Sequence, residues 1–201
     1  MLPDPLKKLQ KFFEKFPGVG PRQASRYVFF LLKQPKDYLD NFIDNLSYIK
    51  NQVSLCDDCN LPKQNQNQYC KICSDEKREK NIIYLVEKEQ DAINLESTHL
   101  HNGVYFVMGE NISPLSDNIL AKERVKNLIK RLKKQAEPAE VVLALNNTRE
   151  GNFASMYVKE MFKENKMNQV KLTSLGRGLS TGSELEYADE ETLRNALKNR
   201  G

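Results

Sequence analysis

The sequence has only two histidines in 201 residues, and no apolar run near the roughly 18 residues that a membrane-spanning helix requires. No membrane partner is expected. The first residues, MLPDPLKKLQKFF, lack the apolar core and cleavage site of a signal peptide, so a cytoplasmic location is expected. There is no Walker A glycine loop, no nucleophile elbow and no HExxH pair. Those absences exclude the common nucleotide-, acyl- and zinc-protease chemistries, and no small-molecule substrate is expected. His99 and His101 stand two apart in ESTHLHNG without further residues at ligand spacing; they read as loop residues.

What is present is unevenly distributed. The net charge is +4, but residues 1–36 carry eight Lys/Arg against two Asp/Glu, or +6, and the remaining 165 carry 23 against 25, or −2. A basic N-terminal segment favours a polyanionic partner there. Within it, Leu6, Leu9, Phe12, Phe13 and Phe16 recur at helical spacing up to Pro17, and Ala24, Tyr27, Val28 and Leu31 begin a second pattern after Pro21. A third helix is expected over Tyr38 to Ile49, with Leu39, Phe42, Ile43 and Leu46 on one face. From residue 81 onward, short apolar strands (IIYLV, VYFVM, VVLAL, VKLTSL) alternate with helices expected near 119–135 and 152–165. That alternation argues for an α/β fold with a largely parallel sheet. A short final helix should be capped by Asp189.

Two motifs carry chemistry. Cys56, Cys59, Cys70 and Cys73 form CDDC and CKIC, separated by ten residues, and are all the cysteines of the chain. Two CxxC knuckles can place four thiolates on one tetrahedral Zn²⁺, and a closed four-sulfur site is architectural, because no coordination position stays open for substrate. Disulfides do not suit a cytoplasmic chain, and a redox CxxC does not call for two pairs. One structural zinc per chain is therefore expected. The second motif is FPGVGPRQASR, Phe16 to Arg26. Gly18, Val19 and Gly20 make a tight turn whose free N–H groups, with the following helix start, can face a phosphate. Arg22 and Arg26, four apart, share one helix face and can reach neighbouring phosphates. This is a helix-hairpin-helix pattern; its contacts predict DNA binding without sequence preference and with steep salt dependence. A plain helix turn with solvated arginines is the bland alternative.

Taken in order, FPGVGPRQASR, CDDC…CKIC, LVEKEQDAINLE, NISPL, LALNNTREG and LEYADEETL resemble the bacterial recombination mediator family RecR over nearly the whole chain. The resemblance implies a helix-hairpin-helix DNA-binding domain over 1–54, a four-cysteine zinc finger over 55–76, a Toprim domain over 80–175 and a C-terminal loop and helix over 176–201. It also implies a ring-like homotetramer that clamps DNA and works with RecO and RecF to load RecA at gaps and breaks in DNA repair. Arg22 and Arg26 match the family's DNA-contacting hairpin, the four cysteines its zinc ligands, and Glu87 the Toprim glutamate. MGENISPL and GLSTGSELEYADE depart from the family pattern.

Toprim enzymes combine the strand-end glutamate with an Asp-x-Asp pair on a later strand to hold Mg²⁺, since a hard cation needs several anionic oxygens to offset its dehydration. Here the later strand ends in Asn146, Asn147 and Thr148. The expectation is a non-enzyme whose crevice is a partner-docking surface, with Glu87, Asp91, Asn146, Thr148 and Glu150 as the partner-binding residues and Glu89 also on an acidic rim. The alternative is a Toprim-type, Mg-dependent nuclease or primase-like enzyme.

Overall fold

A computed structural model describes residues 2–110, 112–113, 117–134, 139–179 and 181–200. The chain divides into two compact units, Met1–Val53 and Ser54–Gly201. Residues 111, 114–115 and 180, which fall in the two departing loops, lie outside the described residues, as does residue 135 at the end of one expected helix.

The first unit is three helices: α1 (Asp4–Phe13), α2 (Pro21–Leu32) and α3 (Lys36–Gln52). Asp4 in the first turn of α1 and Lys11 in its last complement the helix dipole. Pro21 opens α2, where its missing N–H costs nothing. Aromatic edges join the helices: Phe13 lies 5.6 Å from Phe16 and 5.5 Å from Tyr27, and Phe30 lies 6.2 Å from Tyr38. Among the described residues of this unit only Ala24 and Val28 are buried. The third helix runs farther in both directions than Tyr38 to Ile49, and its apolar positions Phe42, Ile43 and Leu46 are exposed.

A two-stranded ribbon, β1 (Val53–Leu55) and β2 (Pro62–Gln64), starts at the boundary residue Val53 and is followed by the short helix α4 (Lys71–Ser74). Then come β3 (Glu79–Val86), α5 (Glu89–Ser97), β4 (Gly103–Val107), α6 (Ile119–Leu132), β5 (Glu140–Leu143), α7 (Arg149–Glu164), β6 (Lys171–Ser174), a 3₁₀ turn at Leu185–Tyr187 and α8 (Glu190–Lys198). The strands form one sheet in the order β4-β3-β5-β6, every neighbouring pair parallel. Period-two alternation gives the sheet two different faces. Ile83, Leu85, Val104, Phe106, Val141 and Leu143 pack under α6 and α7. Val86, Tyr105, Val107 and Ala144 face the other way, towards Ala92 of α5 and the four cysteines.

Helix α5 has no counterpart in the apolar pattern, because its EQDAINLES buries only Ala92. Helix α7 starts at Arg149, three residues before the expected 152, because Thr148 caps it: its Oγ1 accepts from the Gly151 N–H at 3.1 Å. Asp189 caps α8 as expected, accepting from the Thr192 N–H at 2.9 Å. From the centre of the sheet, the chain leaves β3 towards β4 on one side and leaves β5 towards β6 on the other. The adjacent carboxyl ends of β3 and β5 therefore border the crevice that a parallel sheet opens where its winding reverses.

Candidate metal centre and strand-end crevice

Both knuckles are built from backbone geometry. In the first, Asn60 adopts a left-handed conformation (φ 64°), its N–H donates to Cys56 O at 2.8 Å, and the Leu61 N–H points at Cys59 Sγ, 3.4 Å away. In the second, Cys70 is the N-cap of α4, and its sulfur accepts from the Cys73 N–H at 3.5 Å. The Cys70 N–H donates to Cys56 Sγ at 3.4 Å, tying one knuckle to the other. All four cysteines are buried and unbridged, and their sulfurs lie within 4.8 Å of one another. Zinc–sulfur bonds near 2.3 Å in a tetrahedron put sulfurs about 3.8 Å apart, so the cluster fits one such ion, with amide donors already aimed at the sulfurs. Sulfur–sulfur hydrogen bonding with Cys70, then with Cys73, pushes the Cys59 thiol far up, while the same bond holds Cys70 low. Four crowded thiols share protons, and a divalent ion would displace them.

The centre also finishes the sheet. Strand β4 is an edge strand, and its last N–H, on Val107, donates to Cys59 O at 2.9 Å. Val107 O accepts from Asn60 Nδ2 at 3.0 Å, and from Arg124 Nη1 at 3.3 Å. Arg131 Nη1, in α6, donates to Asp58 O at 2.6 Å. An edge that would otherwise present unpaired backbone groups is covered by the metal knuckle.

At the crevice, Glu87 directly follows β3 and is 1 % exposed. Both its oxygens are taken: Oε2 accepts from Asn146 Nδ2 at 2.8 Å and Oε1 from the Asn146 N–H at 3.3 Å. A Cβ on Gly151 would lie 2.0 Å from Asn146 O and 2.9 Å from Glu87 Oε1, so only glycine admits this close crossing. Glu87 is therefore not part of an exposed acidic rim, which corrects the sequence reading; burial of a carboxylate demands partners, and it finds them inside the chain. Asp91 is half-buried, with Oδ2 accepting from the Lys88 N–H at 3.0 Å. Glu89 is half-buried; Asn146, Thr148 and Glu150 are exposed. The Mg²⁺ that the Toprim fold implies does not fit here. Glu87 is engaged on both oxygens, the Thr148 hydroxyl oxygen caps α7, and Asn146 presents neutral groups.

Two residues of this region escaped the sequence reading. Arg124 is 9 % exposed and bonds Val107 O; its signal was its place among Ala121, Val125 and Leu128 on the buried face of α6. Gly109 (φ 87°) lets that guanidinium pass, since a Cβ there would lie 2.2 Å from Arg124 Nη1, and its N–H donates to Glu87 O at 2.8 Å.

The hairpin is a separate site. Gly18 adopts φ 74°, and Gly20, extended, is the N-cap of α2 with no side-chain cap. The Val19 N–H is used within the turn, donating to Phe16 O at 3.0 Å. Arg22 and Arg26 are both exposed and, with Gly20 and Gln23, line one concavity. Arg26 is steadied by Gln23 Oε1 at 3.3 Å.

His101 is more than a loop residue. It stacks on Tyr84 at 4.0 Å, and its Nε2 lies 2.8 Å from the Tyr105 hydroxyl, which donates to Glu96 Oε2 at 3.0 Å. Arg78 grips the same Glu96 carboxylate and bonds Gly103 O at 3.2 Å. The Arg78 bond holds the Glu96 carboxyl below its ordinary range, and burial lowers the imidazole of His101.

A parallel βα sheet with a buried strand-end glutamate and a four-cysteine centre on one face defines a Toprim-type protein with a metal finger. Residues 81–173 match the Toprim domain family and residues 178–200 match the family described as RecR, C-terminal. The chain is 33 % identical over 198 residues to the Recombination protein RecR of Oenococcus oeni, covering 98 % of this chain and 97 % of that protein. It is 36 % identical over 199 residues to the Recombination protein RecR of Staphylococcus aureus strain MRSA252, with the same coverage. The chain belongs to the RecR family.

Proposed function

We propose that this protein is a DNA-binding recombination mediator in DNA repair: a non-enzymatic clamp that acts with RecO and RecF to promote RecA loading at gaps and breaks. The observation that carries the DNA-binding part is the hairpin, in which an uncapped helix start and the exposed Arg22 and Arg26 converge on one concavity. Backbone N–H groups and two guanidinium groups suit phosphates rather than base edges, so Gly18, Gly20, Arg22 and Arg26 bind DNA without regard to sequence, while Val19, its N–H bonded to Phe16 O, holds the turn in shape. The functional segments are those expected above: 1–54 for DNA, 55–76 for zinc, 80–175 for the Toprim crevice and 176–201 for the C-terminal loop and helix. Zn²⁺, one per chain, is the ion for the cysteine cluster, which is the donor set that this cation favours. The protein works in the cytoplasm, and among the described residues no helix is long and apolar enough to cross a membrane.

Closure around DNA requires oligomerisation, here a homotetramer. The first unit supports this reading: burial of Ala24 and Val28 contributes only about 3 kcal/mol, while Phe12, Phe16, Phe30, Ile43 and Ile49 are each more than half exposed. Apolar surface of that extent suits contact with other subunits. The strand-end crevice, with Glu150 exposed at its mouth, is the docking surface for RecO, which would bring basic residues. Non-enzymatic action is supported by the engagement of both Glu87 oxygens with Asn146, since phosphoryl chemistry uses carboxylates free to hold cations.

Binding of duplex DNA at several salt concentrations tests the reading. Arg22→Ala with Arg26→Ala should weaken binding and reduce the salt slope by about 2 per hairpin. An unchanged slope would show that the hairpin is not the contact.

A further inference from the structure

We infer that Glu87 and Asn146 form an internal pin that positions the loop over 146–151, the amide of Asn146 doing for the buried carboxylate what a cation does in a metal-holding strand end. A carboxylate 1 % exposed cannot keep its hydration, and it is not ion-paired within 4 Å of any Lys or Arg in the described residues. It is held instead by two N–H donors of a single residue, one from the side chain and one from the backbone. Donating through both groups fixes the strand exit in orientation as well as position.

The loop closes tightly over this pair. Gly151 crosses against Asn146 O and Glu87 Oε1, and its N–H is held by Thr148 Oγ1. The first turn of α7 is thus brought up to the carboxylate, where the positive end of the helix dipole favours an anion. Asn147, Thr148, Arg149 and Glu150 are left exposed on the outside of the same turn. Glu87 is a positioning residue, buried behind the surface that it shapes. What this implies for partner binding rests on the docking reading above; the pin itself does not.

Hydrogen exchange on the full-length protein reads the pin directly. Glu87→Gln sets an amide against the Asn146 amide, and the 146–152 backbone should exchange about tenfold faster, with 104–108 and 141–143 unchanged. Unaltered protection of 146–152 would overturn the pin. Asn146→Asp should place two carboxylates in contact, lowering Tm in Mg²⁺-free buffer without chelator and restoring it with Mg²⁺, whereas the parent Tm should ignore Mg²⁺. A parent Tm that rises with Mg²⁺ as much as the variant's would overturn the idea that the amide replaces a cation. If Asn146→Asp does not fold, the Mg²⁺ titration of the parent and the Glu87→Gln exchange still decide. Binding of purified RecO separates the two readings. Faster loop exchange in Glu87→Gln with RecO binding unchanged, there and in Glu150→Ala, supports the pin and sinks the docking surface.

Discussion

The cysteine centre and the strand-end crevice lie in the same unit and solve opposite electrostatic problems. At the centre, four acidic groups of one kind converge within 4.8 Å, with amides directed at the sulfurs and no neutral side chain to share the charge. Such a cluster can hold a cation. At the crevice a single carboxylate is buried and its partner is a neutral amide. That arrangement is complete without one. The difference teaches that a fold associated with metal chemistry can keep its glutamate for structural reasons, while the residues that could hold a metal ion lie elsewhere.

Removing the metal, or Cys73→Ser, should give the largest effect and break the contrast most directly. Metal binding in such sites is folding free energy, on the order of 10 kcal/mol for small fingers. Loss should spread beyond residues 55–76, because Cys59 O and Asn60 hold Val107 at the sheet edge. Exchange protection at 104–107 should fall with chelator, while Mg²⁺ and its removal leave the parent protein unaffected.

Gly151→Ala comes next. Its Cβ would lie 2.0 Å from a backbone oxygen, so the loop must shift, at a cost of about 3 kcal/mol in chemical denaturation. If the variant is as stable as the parent, the close crossing is not a real constraint. Thr148→Ala removes the cap of α7 and should cost about 1 kcal/mol, leaving metal content unchanged.

The smallest effect concerns pH. His101 prefers its neutral form in the folded protein, since burial lowers its pKa from the ordinary 6.5. The unfolded chain then binds the extra proton first, so stability is full above pH 6.5 and declines as pH falls below it. Glu96, held low chiefly by Arg78, adds a second loss at more acidic pH, as pH falls below its ordinary 4.5. Tm measured from pH 7.5 to 5.5 should fall slightly in the parent and less in His101→Gln. A step of equal size in both would assign the acid sensitivity to the thiolates of the metal centre.

Much of the fold was legible because it depends on near neighbours. Short apolar runs predicted β3 to β6, the helical spacing predicted α6, and Asp189 announced α8. Helix α5 leaves little trace in the sequence because only Ala92 is fully buried and Leu95 partly so, too little to impress a period on nine polar-rich residues. His101 carries no sequence signal beyond a loop residue because its aromatic and hydroxyl partners, Tyr84 and Tyr105, belong to different strands. Arg124 is a charged residue among apolar ones on α6, and only the arrival of Val107 O and Gly109 explains its burial.

By itself, the sequence determined the cysteine spacing, the hairpin glycines and arginines, and the neutral residues Asn146 and Thr148 at the end of an apolar strand. Each of these is chemistry that a residue carries wherever the chain places it. Only tertiary structure decided that Glu87 is buried, that both its oxygens meet Asn146, 59 residues away, and that Cys59 closes the edge at Val107. Those outcomes depend on which strand ends become neighbours in the sheet. There, the loss of water obliges every buried polar group to find a partner from a distant part of the chain.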